Sequence, residues 1–186
     1  IPKEQDHPLT IMFSIGGAGA QIEIVENYIR ALKKRVERGE VRLILSAGIR
    51  KEAKDCFLRI ISKIGLRAEI DKNIQIILEK DIWSYFSKFN DALRKTDLLW
   101  TKPSELSFYS ALGVPLILAP SIGSQEDYNR KWLLGVGSGI PQENPKYAGQ
   151  WIFDYINSGR FAKAALRGFM EIKNTGVHSI KKIIFD

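Results

Sequence analysis

The chain has 186 residues, with 28 Lys and Arg against 21 Asp and Glu for a formal net charge of +7, and 45% of its residues are hydrophobic. That length suits one domain with a core of its own, and the ordinary composition excludes a disordered, collagenous or low-complexity chain. A single cysteine, Cys56, excludes a disulfide framework and a cysteine-built metal site, and no apolar run reaches the about 18 residues of a spanning helix.

The first element is the apolar run Leu9-Thr10-Ile11-Met12-Phe13, a strand, followed by Ser14-Ile15-Gly16-Gly17-Ala18-Gly19-Ala20-Gln21. A tight turn needs one or two glycines, so three glycines and two alanines imply close approach of something to the backbone. Ile22, Val25, Ile29, Leu32 and Val36 recur at spacings of three and four, one face of a helix that Gly39 closes. The unit then repeats: Val41 to Leu45 reads as a strand ending in Ser46-Ala47-Gly48, and Ala53, Phe57, Ile60, Ile61 and Ile64 mark a helix stopped by Gly65.

Asn73 to Leu78 is a third strand, followed by a helix through Ile82, Phe86, Phe89 and Leu93. Asp97 to Thr101 is a fourth strand, Ser104 to Leu112 a short helix, and Val114 to Leu118 a fifth strand. Gln125 to Leu134 is helical, Gly135 to Pro141 reads as a loop, and Tyr147 to about Lys173 is helical with a break at Ser158-Gly159. Strands alternating with helices predict an α/β fold, a Rossmann-like parallel sheet with helices on both faces and a helical carboxyl-terminal region. Ligands of such sheets bind beyond the carboxyl ends of the strands, where the strand order reverses.

Three segments leave those ends. Backbone N–H groups at Gly17 to Ala20, at a helix N-terminus, suit a phosphate, although the turn is neither a spaced G-x-G-x-x-G nor a P-loop and reads equally as a tight turn. In Thr101-Lys102-Pro103-Ser104-Glu105-Leu106-Ser107, Ser104 reads as an N-cap and Lys102 sets a cation beside the same helix end; a plain capped helix fits as well. Ala119 to Asn129 offers amide and carboxylate groups that suit sugar hydroxyls, and Ser124 reads as the cap of a helix carrying Glu126 and Asp127 in its first turn.

The order "SIGGAGAQ", "DLLWTKPSELSFYSALGVPLILAP", "SIGSQEDYN" resembles the carboxyl-terminal, nucleotide-sugar-binding domain of GT-B glycosyltransferases, and is similar to the group of the peptidoglycan N-acetylglucosaminyltransferase and monogalactosyldiacylglycerol synthase. The resemblance spans roughly Leu9 to Leu134. It implies that Gly16, Gly17, Ala18, Gly19, Lys102, Ser104 and Ser107 hold the diphosphate, and that Gln125, with Glu126 and Asn129 nearby, addresses the sugar. The nucleoside would lie around Phe86 and Ser87, against backbone preceding the helix before the fourth strand. The chain departs from the family where a glutamate takes the ribose hydroxyls: Ser110 or Phe108 stands there, and Glu105 is a turn too early. Pro103 and Ser104 also replace the glycine of the family's "TKAG" turn.

The resemblance therefore implies a domain organisation of a linker over residues 1–8, a nucleotide-sugar-binding α/β domain over 9–145 and carboxyl-terminal helices over 146–186 packed on it. The implied function is the donor-binding half of a glycosyltransferase, a hexosyltransferase that takes sugar from a nucleoside-diphosphate sugar, a UDP-sugar, to an unidentified acceptor. Its rivals are a non-catalytic nucleotide-sugar-binding or scaffold domain, which the missing glutamate favours, and a nucleotide-sugar epimerase, which the near absence of histidine disfavours. The implied partners are that substrate and an amino-terminal GT-B domain or separate subunit that brings the base. The start at Ile1 favours a piece of something longer. No metal or other cofactor is expected, since His7 and His178 stand isolated near the two ends. The basic clusters Lys33-Lys34-Arg35, Arg50-Lys51 and Lys181-Lys182 fit a solvated surface, an anionic ligand or peripheral contact with an anionic membrane. No RNA-type motif accompanies them, so no nucleic-acid partner is expected, and the single thiol suits the cytoplasm.

Overall fold

A computed structural model describes residues 7–14, 22–103, 106–173 and 175–185. Among them, strand β1 (Leu9–Ser14) leads to helix α1 (Ile22–Glu37), β2 (Val41–Gly48), α2 (Lys51–Ile64), β3 (Ile74–Leu78), α3 (Ile82–Leu93), β4 (Leu98–Thr101), α4 (Leu106–Ala111), β5 (Leu116–Leu118), α5 (Ser124–Val136) and β6 (Gly139–Pro141). Helices α6 (Ala148–Asn157), α7 (Arg160–Glu171) and α8 (Gly176–Phe185) follow.

All six strands pair in parallel, in the order β3-β2-β1-β4-β5-β6. Leu9 pairs with Val41 on one side of β1, and Ile11 with Leu98 on the other, so the order reverses between β1 and β4. The near-continuous apolar strands follow from coverage on both faces, as parallel sheets require. On one face Ile11, Phe13, Leu45 and Trp100 pack with Tyr28 and Ile29 of α1, Phe57 of α2, Trp151 and Ile152 of α6 and Phe161 of α7. On the other face Met12, Ile44, Leu99 and Leu116 pack with Phe89 of α3, Tyr109 of α4 and Leu133 of α5.

Cys56, on α2, is a buried free thiol. On α6, Trp151, Ile152, Tyr155 and Ile156 lie at helical spacing and pack on the same core. The cluster on α1 is engaged internally: the Lys33 ammonium donates to the Ile64 carbonyl at 2.7 Å, and the Arg35 guanidinium sits 3.6 Å from the Phe153 ring centre. No helix among the described residues is long and apolar enough to cross a membrane.

Four expectations are corrected. The segment read as a loop ends in a sixth strand, Gly139–Pro141, which escapes periodicity because it has three residues, two of them Gly and Pro. A Cβ on Gly139 would stand 2.7 Å from Leu118 and 2.8 Å from Leu133, so a side chain there would have to push the ends of both leucines aside. The fifth strand starts at Leu116 rather than Val114, because Pro115 lacks a backbone donor for the ladder. Ser124 is the first residue of α5 and not its cap; Gly123 holds that position, and the Glu126 carboxylate accepts from the Ile122 N–H at 2.8 Å instead. An eighth helix, α8, follows the predicted end of helical structure near Lys173.

Gly168 of α7 lies against Ser110 of α4, and a Cβ there would fall 2.5 Å from the Ser110 carbonyl oxygen. Backbone cannot yield as a flexible side chain can. Gly168→Ala should therefore destabilise the chain by about 1–3 kcal/mol through overpacking. For a chain of this length each kcal/mol lowers Tm by about 2–4 °C, which calorimetry would read. An unchanged Tm would show that α7 and α4 separate freely.

Candidate functional site

Because every strand points the same way, the segments after β1, β4 and β5 leave from one edge of the sheet, beside the reversal. Of the residues implied in phosphate binding, Gly16, Gly17, Ala18, Gly19 and Ser104 lie outside the described residues. Lys102, Ser107, Phe86, Ser87, Ser110, Gln125, Glu126 and Asn129 lie within them.

Lys102 follows directly on β4 and is only 8% exposed. Its ammonium meets the Glu126 carboxylate at 2.8 Å across the segments after β4 and β5. One turn further along α5, the Asn129 amide donates to the Pro103 carbonyl at 3.1 Å. Residues 126 and 129 stand three apart on one helix, so they share a face, and that face clamps the chain at 102–103. Three of the implied residues are thus brought together, and two of them, Glu126 and Asn129, are tied to protein groups. Gln125, next along the helix and exposed, stands off this clamp.

Partial burial by itself would raise the Glu126 pKa, but the Lys102 ammonium and the Ile122 N–H outweigh it and hold the carboxyl below its ordinary range. The pair also cancels the cation at the carboxyl end of β4. An anion arriving here would rely chiefly on backbone N–H groups, unless it drew Lys102 away from Glu126. Nearby, the Ser121 hydroxyl is buried with no hydrogen-bond partner. It sits in the β5–α5 segment, and no periodicity distinguishes it in the sequence.

Ser107 is exposed on the first turn of α4. Ser110, which stands where the resembled family has its ribose carboxylate, is 1% exposed and lies under Gly168, with its hydroxyl unpartnered. Phe86 and Ser87 sit inside α3, and the backbone that precedes this helix is 79–81. Phe86 is 50% exposed, and Trp83, three residues earlier on the same helix, is 78% exposed. Asp81 caps α3 by accepting from the N–H groups of Trp83 and Ser84, at 3.0 and 2.9 Å. An aspartate before an apolar helical pattern is a readable cap signal. Tyr85 reaches back to β2, its hydroxyl 3.0 Å from that of Ser46. Among the described residues no group of three or more His, Cys, Asp or Glu could hold a metal ion.

Comparison with known proteins places this architecture. The family described as "Domain of unknown function (DUF6938)" matches over residues 2–72 and 57–143. No curated protein matches. Among solved structures, MurG of Acinetobacter baumannii is 15% identical at a TM-score of 0.70 and aligns with 98% of this chain and 50% of its own. WaaG, a glycosyltransferase involved in lipopolysaccharide biosynthesis, is 12% identical at a TM-score of 0.62, covering 98% of this chain and 48% of its own. A UDP-GlcNAc 2-epimerase from Neisseria meningitidis, bound to UDP-GlcNAc, is 11% identical at 0.58, covering 98% and 45%. At these identities the likeness establishes the fold, a Rossmann-like α/β domain of the GT-B carboxyl-terminal type. The chain spans about half the length of the structures it matches.

The lowered Glu126 pKa fixes the sign of a pH effect. The ionised carboxylate is favoured in the fold, so its stabilisation is present above the unfolded-state pKa, about 4.3, and is lost as pH falls through the lower folded value. Glu126→Gln should cost about 1–3 kcal/mol near neutral pH by leaving Lys102 without its counter-charge. The cost should shrink in acid, where the native pair is itself protonated. Urea titrations of both proteins at neutral pH and below pH 4 would show it; a cost independent of pH would assign the loss to packing.

Proposed function

We propose that this chain, which belongs to the DUF6938 family, binds a nucleoside-diphosphate sugar at the carboxyl edge of its sheet, as the donor half of a glycosyltransferase acting on a UDP-sugar. The single observation that carries the reading is that β1, β4 and β5 end on one edge, beside the reversal of a 3-2-1-4-5-6 sheet. Ligands of open parallel sheets lie at such a reversal. The fold supports it, since its neighbours of known structure include glycosyltransferases and an epimerase that holds UDP-GlcNAc.

In this reading the glycine turn at Gly16, Gly17, Ala18 and Gly19 and the chain from Lys102 through Ser104 to Ser107 hold the diphosphate with backbone N–H groups and helix ends. Such preformed donors stabilise the negative charge that grows on the leaving diphosphate as the sugar departs, and the step asks for no cofactor. Phe86, with Ser87, offers an aromatic face to the base. Gln125 is the sugar contact, because Glu126 and Asn129 are committed to Lys102 and Pro103. The acceptor and the general base come from a second domain or subunit, in keeping with a chain that spans half of its structural neighbours.

One observation favours a second reading, a nucleotide-sugar-binding domain without transfer activity. Ser110 is buried under α7 where the resembled glycosyltransferases present a carboxylate to the ribose. Turnover of a UDP-sugar by a protein that carries both halves would decide for transfer, and tight binding without turnover for the second reading.

Replacing Gln125 tests the sugar assignment. Gln125→Ala should weaken a UDP-sugar by about 2- to 13-fold, the worth of one neutral hydrogen bond, and leave UDP unchanged. Titration calorimetry with both ligands measures this directly. Equal losses for the two would mean that the loop shapes the pocket without touching the sugar.

A further inference from the structure

We infer that the opposite edge of the sheet carries a second anion site, which takes a small phosphate-bearing ligand between the amino ends of β2 and β3 and the end of α3. A cleft of about 330 Å³ opens there, lined by Arg42, Ile44, Asp71, Lys72, Gln75 and Lys95. Arg42 is the second residue of β2 and Gln75 the second of β3, while Asp71 and Lys72 lie in the turn before β3 and Lys95 just past α3. Every one of these positions is at the amino edge, away from the segments that bind in the proposed function.

Three observations point to an anion. Three cations face one carboxylate, that of Asp71, and in so confined a space the excess charge favours an anionic occupant. Lys72 is tied only loosely, to Glu69 at 3.7 Å, and no carboxylate among the described residues pairs with Arg42 or Lys95. The Arg42 Nε is buried and has no hydrogen-bond partner. A buried donor left unpaired costs free energy, which an arriving oxyanion would recover.

The third observation is backbone conformation. Asp71 has a φ of 63°, the left-handed region that side chains seldom occupy, and it is the one non-glycine residue there among those described. Such conformations gather at ligand-binding turns. The end of α3 opposes an anion less than a free helix end would, because its last carbonyls are occupied: Asn90 accepts from the Arg94 N–H, Leu93 from the Thr96 N–H and Ala92 from the Thr96 hydroxyl. Arg42 reaches this space because it shares a strand face with Ile44, and that face is the one α3 covers.

Pyrophosphate serves as the probe, followed by amide chemical shifts in the whole chain. Saturable shifts are expected at Asp71 to Gln75 and at Lys95. Arg42→Gln and, separately, Lys95→Gln should each raise the dissociation constant read from those shifts about tenfold or more, the loss of one charge-assisted contact. Arg59→Gln, in a different cleft on α2, should leave it unchanged and so controls for net charge. If Arg42→Gln fails to fold, the exposed Lys95 decides the matter alone. Shifts confined to residues 118–126, an equal weakening by Arg59→Gln, or no saturable shift at the amino edge would each overturn the site. Arg42→Gln and Lys95→Gln leave the carboxyl edge untouched, so loss of this site and loss of nucleotide binding at the carboxyl edge are read separately.

Discussion

The common direction of the six strands is the constraint on which the rest of the molecule depends. Parallel strands cannot be joined by tight turns, so each connection becomes a crossover helix, and each crossover returns the chain to the same edge. The helices divide between the two faces because β1 begins in the middle of the sheet and the chain first builds outward through β2 and β3, then returns to add β4, β5 and β6. That reversal puts the carboxyl ends of β1, β4 and β5 side by side, whatever the side chains are. The side chains then decide what can enter.

Beside those strand ends lies the Lys102–Glu126 pair, with the two side chains 10% and 19% exposed. A pair so placed carries a desolvation cost that its attraction only partly offsets, and its worth lies more in fixing geometry than in net stability. Here it fixes the segment after β4 against the first turn of α5, with the Asn129 amide as a second tie. The segments after β4 and β5 are therefore tied to each other by two side-chain contacts. A ligand that touched both would meet a site already assembled, and would lose less freedom on binding than one that had to bring two loops together.

Most of the fold was legible in the sequence. Apolar runs fall on the first four strands and period-3.6 patterns on α1, α2 and α3 to within a residue or two, because the strands are covered on both faces and each helix buries one. Strand β6 was not legible, since three residues with Gly139 and Pro141 at its ends carry no period; its evidence is the space beside Leu118. The placement of the candidate segments was legible, their side-chain partners less so. That the carboxyl edge would carry the segments around Lys102 and Gln125 follows from alternation alone, whereas the partnership of Lys102 with Glu126, 24 positions apart, is a product of tertiary packing. The burial of Ser110 depends on Gly168 in a helix 58 positions later, and no local pattern announces it. The same holds for the cleft around Arg42, whose residues come from three separate stretches of chain.

Amide hydrogen exchange along the chain, with and without saturating UDP, tests the central claim most directly. Nucleotide held at the carboxyl edge should slow exchange at residues 15–21, 101–107 and 119–129 together, whether or not the amino ends of β2 and β3 also respond to its diphosphate. Slowed exchange confined to the amino edge, or an unchanged profile at saturating UDP, would contradict the account.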